Sequence, residues 1–290
     1  MGKVMRRRRF LRGFVFGALA ALAGLLIWWM VRPAAEEPQI TPSNSFDPAD
    51  FVKARPRLDA PYVVTDYDVV NAMLELADIR PNERVVDLGS GDGRILIAAA
   101  RSHGARGLGV DIDQARIRES TANARAAGVS HRVIFRRENL FQTPLADADV
   151  LTLYLSNDIN FRLRPRILAQ MRPGTRVVSH DFNMGDWRAD RTQRVGTATV
   201  YMWVVPARIQ GRWAMNVGGQ RAILLVNQRY QQFTGAVTVN DQSTRIDVGR
   251  IDADRIRFTV RVNGQRRVFE GRVDGNNILG ANWRATRIVE

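Results

Sequence analysis

Residues 87–94 read Asp-Leu-Gly-Ser-Gly-Asp-Gly-Arg. A carboxylate stands two positions before the first of three alternating glycines, and this is the densest chemistry in the chain. Asp87, Gly89, Ser90, Gly91 and Gly93 describe a loop that turns sharply and lets a ligand approach its backbone closely, because glycine alone takes left-handed backbone angles without a steric penalty. A second acid, Asp111, follows 24 positions after Asp87. A carboxylate at that distance can accept hydrogen bonds from both hydroxyls of a ribose. The spacing is G-x-G-x-G, not the G-x-G-x-x-G of dinucleotide sites, and no Gly-Lys-Ser/Thr follows to make a phosphate-binding P-loop.

The elements that must position these residues are legible on both sides. Val85 to Leu88 form a short apolar strand into the loop, and Ile95 to Arg101 a helix out of it, with its N-terminal N–H groups turned to the ligand. Gly107 to Asp111 form a second strand ending in the acid. Thr65-Asp66-Tyr67-Asp68 predicts a capping box that opens a helix over about 66–77. The alternation continues with a helix over 113–127, a strand over 132–136, an apolar strand over 149–155, a helix over 158–171, a strand over 176–182, and an antiparallel pair within 195–206. Strands alternating with helices predict an α/β fold, a doubly wound Rossmann-like sheet of seven strands, with ligand at the C-terminal strand ends.

Composition excludes several classes. The chain has 290 residues and no cysteine, so disulfide frameworks and thiolate metal sites are ruled out, and its three histidines, His103, His131 and His180, are scattered. No metal site is expected. The formal net charge of +14 is carried by the ends: residues 33–206 hold 22 basic and 22 acidic side chains. A neutral central region argues against nucleic acid as a partner, and basic ends suit an anionic membrane surface.

Residues 13–31 run without a charge after Arg6, Arg7, Arg8, Arg9 and Arg12, and end near Trp28 and Trp29. At about 1.5 Å per helical residue the run matches a bilayer's hydrocarbon thickness. Two readings stand: a single-pass inner-membrane anchor, or a signal segment that exports the chain to the periplasm, since Arg7-Arg8-Arg9-Phe10-Leu11-Arg12 approximates a twin-arginine pattern. The anchor is favoured, because no clean cleavage site follows. The positive-inside rule sends everything after residue 32 outward. The domains expected are 1–32 as anchor or signal, 33–60 as a proline-rich linker, 61–206 as the α/β domain, and 207–290 as a small all-β domain. Short alternating stretches at 222–226, 236–239, 255–260 and 267–271, with turns at Asn240-Asp241 and Asn263-Gly264, predict that last domain as a barrel or curled sheet.

The D-x-G-x-G-x-G loop resembles that of class I S-adenosylmethionine-dependent methyltransferases. The segments Pro61-Tyr62-Val63-Val64-Thr65, Leu151-Thr152-Leu153-Tyr154-Leu155, Leu163-Arg164-Pro165 and Gly174 to Phe182 are more specific. They resemble the membrane-associated protein-lysine methyltransferases that include the enzyme acting on the c-ring protein of ATP synthase. The resemblance covers about 60–206. It departs at Val64 and Asp66, where the family has prolines, and at Glu138-Asn139, where it has Gly-Asp. It implies S-adenosyl-L-methionine as cofactor, held by Thr65, Asp87, Gly89, Ser90, Gly91, Gly93, Asp111, Ile112, Asn139 and Leu140. Asp87 would serve the methionine end, and the Asn139 carbonyl the adenine amino group. Tyr154, at a strand end in the crevice, is expected to line the methyl-transfer site, with Asn157 and Asp158 holding the amine and His180 near it. A membrane-protein substrate is expected. Methylation of a lipid or small molecule stays open, as does a non-catalytic envelope module.

Overall fold

The computed structural model describes residues 63–289 apart from Asn263. The expected anchor at 1–32 and linker at 33–60 lie outside the described residues. Among the described residues no helix is long and apolar enough to cross a membrane.

The first described element is α1 (Tyr67–Leu76), followed by β1 (Arg84–Leu88), α2 (Arg94–His103), β2 (Arg106–Asp111), α3 (Gln114–Ala126), β3 (Val133–Arg137), β4 (Val150–Leu153), α4 (Asn157–Gln170), β5 (Arg176–His180), β6 (Arg191–Val195) and β7 (Ala198–Val204). The seven strands form one sheet in the order β3-β2-β1-β4-β5-β7-β6. The first five are parallel, and β7 and β6 close the edge antiparallel. The order reverses between β1 and β4, which opens a crevice beyond their C-terminal ends, where open α/β sheets bind ligands.

Side-chain alternation along the strands divides two buried layers. Val85 of β1 packs with Val70 and Met73 of α1 and Leu96 and Ala99 of α2. Val86 and Leu88 turn to the opposite face and meet Leu163 and Ile167 of α4. On this second face α4 is the one helix of the cluster. Beside it lie Trp187, from the loop after β5, Trp203 of β7 and Tyr230 of the C-terminal region.

That region is a closed barrel of eight strands: β8 (Gly211–Val217), β9 (Gln220–Arg229), β10 (Gln232–Val239), β11 (Gln242–Asp252), β12 (Arg255–Val262), β13 (Gln265–Asp274), β14 (Asn277–Gly280) and β15 (Trp283–Arg287). Each strand pairs antiparallel with the next, and β15 returns to β8. Inward side chains such as Trp213, Leu224, Phe233, Phe258 and Trp283 fill the interior, as expected of a barrel this size. The Asn240-Asp241 turn has both residues at positive φ, 46° and 63°, the geometry of a two-residue hairpin loop.

The barrel is joined to the sheet by specific bonds. The Trp187 indole N–H donates to Gln231 Oε1 at 2.8 Å, and the Trp203 indole to the Trp187 carbonyl at 2.7 Å. Asp186 accepts from Arg164 of α4, from Arg229 and from the Tyr230 hydroxyl. These bonds hold its carboxyl down at about 2, with Arg229 and Tyr230 the largest causes.

Several local expectations change. Asp66 stands at the start of α1 without a side-chain cap, so the capping box does not form; the Thr65 hydroxyl lies against His180 instead. The α3 cap is Asp113, whose carboxylate accepts from Ala115 N–H. Strand β4 stops at Leu153, which leaves Tyr154 and Leu155 as a turn before Ser156 caps α4. The antiparallel pair starts at Arg191, earlier than periodicity placed it, because β6 is polar and largely exposed.

Candidate active site

A cleft opens beyond the ends of β1, β2 and β4. It is lined by Thr65, Asp87, Gly89, Ser90, Gly91, Asp111, Ile112, Asn139, Leu140 and Tyr154 among the residues anticipated from sequence. Gly93, Asn157, Asp158 and His180 do not line it.

The glycine loop is built by backbone geometry. Gly89, Gly91 and Gly93 have φ of 77°, 52° and 82°, the left-handed region that disfavours any Cβ. At Gly93 space forbids one as well: a Cβ would stand 2.5 Å from the Phe135 ring. Gly93 is therefore the hinge into α2 and not a wall of the cleft. Asp111 holds the loop from the next strand, accepting from Gly91 N–H at 3.0 Å and Asp113 N–H at 2.9 Å. The acid expected to face a ribose also fixes the loop it faces.

Asp87 is buried at 1% exposure. Its Oδ1 accepts from the Thr152 hydroxyl at 2.7 Å, while Oδ2 has no partner among the described residues. Burial pushes its carboxyl up to about 7; the Thr152 bond opposes this, and the charges of Asp111 and Asp92 add to it. Ser90 Oγ is likewise buried without a partner among the described residues. A buried carboxylate oxygen is costly unless satisfied. Two such orphans beside a glycine loop fit a ligand that brings a cation and polar groups. The methionine end of S-adenosylmethionine, with its ammonium and carboxylate, is such a ligand.

Of the charged lining residues, Asp92, Arg94, Asp113, Arg116 and Glu138 were not among the expected site residues. Arg94 pairs with Asp92 at 2.6 Å and donates to the Thr65 carbonyl at 2.7 Å, tying the segment before α1 to the glycine loop. Glu138 also lines the cleft. The only signal for Arg94 in sequence was its place after the third glycine. Charged lining residues are Asp87, Asp92, Asp111, Asp113 and Glu138 against Arg94 and Arg116, so acids outnumber bases.

The remaining expectations divide. The Asn139 side-chain oxygen accepts from Phe141 N–H at 2.9 Å, an Asx turn, and an amide oxygen has a second lone pair for a further donor. Asn157 caps Asn183 N–H at 3.1 Å, and Asp158 is exposed in the first turn of α4. Neither reaches the cleft, because Ser156 starts the helix and turns both outward. His180 stacks on Tyr154 with ring centroids 3.9 Å apart. Tyr154 thus lines the cleft with His180 behind it. Burial, with Asp181 and Asp66 adding, raises the Tyr154 phenol above its ordinary value of 10. Among the described residues no group of His, Asp and Glu could hold a metal ion.

Fold and cleft define a class I methyltransferase. The ANTKMT methyltransferase domain model matches residues 87–191. A protein-lysine N-methyltransferase of Saccharolobus islandicus is 39% identical over 150 residues, 50% of this chain and 93% of that protein. The mouse adenine nucleotide translocase lysine N-methyltransferase is 31% identical over 149 residues, 51% of this chain and 65% of that protein. A crystal structure of an RNA methyltransferase from Salinibacter ruber, in complex with S-adenosyl-L-homocysteine, is 50% identical with a TM-score of 0.50, covering 51% of this chain and 96% of that one. The chain belongs to the protein-lysine N-methyltransferase family of S-adenosylmethionine-dependent enzymes. Its cofactor is S-adenosyl-L-methionine.

Proposed function

We propose that the chain methylates a lysine amine of a membrane protein. The observation that carries this reading is the likeness to lysine N-methyltransferases, the first of which is 39% identical over 93% of its own length. The cofactor, when bound, supplies a methyl on a sulfonium: the nitrogen–carbon bond forms as the carbon–sulfur bond breaks, and sulfur keeps the electron pair. The chain's own work is then positioning. Asp87 and Ser90 take the methionine end, the N–H groups of the glycine loop and Asp111 orient the nucleoside, and Tyr154 walls the acceptor side. Residues 13–31 would anchor the chain in an inner membrane, with export as the alternative.

The likeness to an RNA methyltransferase supports RNA as a second acceptor class. One experiment separates the two. The full chain is incubated with methyl-labelled S-adenosylmethionine, membranes and total RNA. Label removed by protease and spared by ribonuclease supports the lysine reading; the reverse supports RNA. Calorimetry comes first: a folded chain that binds no S-adenosylmethionine overturns both. Protease accessibility in spheroplasts separates anchor from export.

A further inference from the structure

Behind the cleft wall three polar side chains stand in line. Thr65 lines the cleft, and its Oγ1 lies 3.5 Å from His180 Nδ1. His180 Nε2 lies 3.3 Å from Asp181 Oδ2. The line is held at both ends. The Thr65 carbonyl is pinned by Arg94. Asp181, at a positive φ of 58°, exchanges 2.7 Å bonds with Thr199 of β7 through its own N–H and Oδ1. The His180 ring stacks on Tyr154 at an interplanar angle of 26°. His180 is 5% exposed, whereas the Asp181 side chain is 39% exposed, so the line runs from the cleft through a buried imidazole to solvent.

A lysine ammonium must lose a proton before its nitrogen can attack, and at neutral pH the free side chain is almost wholly protonated. Resting on the reading of an amine acceptor, we propose that Thr65, His180 and Asp181 form a proton relay that deprotonates the acceptor. The ammonium N–H bond breaks as its proton passes to Thr65 Oγ1. The Thr65 O–H proton passes to His180 Nδ1, the resulting imidazolium is held by Asp181 until Nε2 releases its proton to water, and exchange with water returns the ring to its Nε2–H tautomer before the next turnover. No oxidant or further reactant is needed. Thr65 is the catalytic group, and His180 and Asp181 act through it. Burial keeps His180 below its ordinary 6.5, although Asp181 and Asp66 pull it up; a neutral ring is what a proton acceptor requires. The charged and titratable groups around the ring are Asp181 on its own strand end, Asp66 before α1, and Tyr154 after β4. The Thr65–His180 contact is long for a hydrogen bond, as such contacts commonly are before substrate binds.

The test has a readout independent of turnover. The full chain carries three histidines, so ring-nitrogen NMR, assigned with His180→Gln, isolates His180. The relay requires a neutral ring at pH 7.5, with its proton on Nε2 and a bare Nδ1 that responds to Thr65→Val. A proton on Nδ1, or an imidazolium at that pH, overturns it, whatever the cofactor calorimetry finds. On the acceptor identified by labelling, His180→Gln should lower kcat about 100-fold at pH 7, with the deficit closing toward pH 9 as hydroxide takes over. Thr65→Ser should retain activity that Thr65→Val loses. A deficit equal at every pH marks a structural role and overturns the relay.

Discussion

Gly91 N–H lies 3.0 Å from a carboxylate oxygen of Asp111, and the other oxygen of that carboxylate accepts from Asp113 N–H. The acid at the end of one strand thereby fixes the loop that ends its neighbour. Asp111→Ala should therefore do more than remove a ribose contact. It should lower stability by about 2 kcal/mol, read by chemical denaturation without ligand, and weaken S-adenosylmethionine binding in calorimetry. Binding loss at unchanged stability would show that the loop keeps its shape without Asp111.

Asp87 makes the cleft sensitive to pH. The folded chain holds its proton up to about 7, whereas an ordinary carboxylate releases it near 3.8. Its contribution to stability is complete below 3.8 and is lost as pH rises through 7. Without cofactor, the stability difference between Asp87→Asn and the parent chain should grow in favour of the variant from pH 5 to pH 8. A ligand ammonium favours the ionised acid, so S-adenosylmethionine affinity should weaken as pH falls below 7, approaching tenfold per unit. The variant should bind roughly 10–100-fold more weakly above pH 7 and lose this pH dependence. Calorimetry at pH 6, 7 and 8 reads both effects; parallel profiles would separate Asp87 from the ligand's cation.

The join between sheet and barrel should be felt throughout. Trp187 is 1% exposed, and its indole is bonded to Gln231. Trp187→Ala should cost about 3–5 kcal/mol, and Gln231→Ala about 1–3 kcal/mol by leaving the indole N–H unmet. Denaturant unfolding of the parent should follow one transition by far-ultraviolet and tryptophan signals alike. Two separated transitions would show that sheet and barrel fold independently.

Two glycines with similar backbone angles should respond differently. Gly93→Ala meets both a φ of 82° and the Phe135 ring at 2.5 Å, whereas Gly196→Ala, at φ 59°, meets nothing within 4 Å. The second should cost about 1–2 kcal/mol from backbone strain alone. The first should cost more and displace the glycine loop, abolishing cofactor binding. Melting temperatures with and without S-adenosylmethionine read both; equal losses would mean that Phe135 gives way freely.

The glycine loop and the acid after β2 were legible in sequence because each rests on local chemistry: positive φ at fixed spacing, and a carboxylate one strand–helix–strand unit away. What those acids do was less legible. Asp111 also accepts from two backbone N–H groups, and Asn139 from Phe141, which spacing does not encode. Asn157 and Asp158 were adjacent to the crevice in sequence, but Ser156 sets the start of α4 and turns them away. The place of His180 behind Tyr154 depends on β4 and β5 being neighbours, a tertiary fact. The barrel was visible as alternation in β9, β10, β12 and β13, and its closure was not, since β14 has only four residues. Trp187 carries no periodic signal at all, because it lies in a loop.

The mixed cover of the second sheet face also bears on how the chain is made. Synthesis proceeds from the N-terminus, and domains form as their parts emerge. Trp187 and Trp203 leave the ribosome before Tyr230 and Gln231, and the barrel cannot close until β15 is available to meet β8. For that interval the nascent chain carries two large indoles on a half-covered sheet, a surface suited to a chaperone, and a ribosome stalled within the barrel would release a product prone to aggregate.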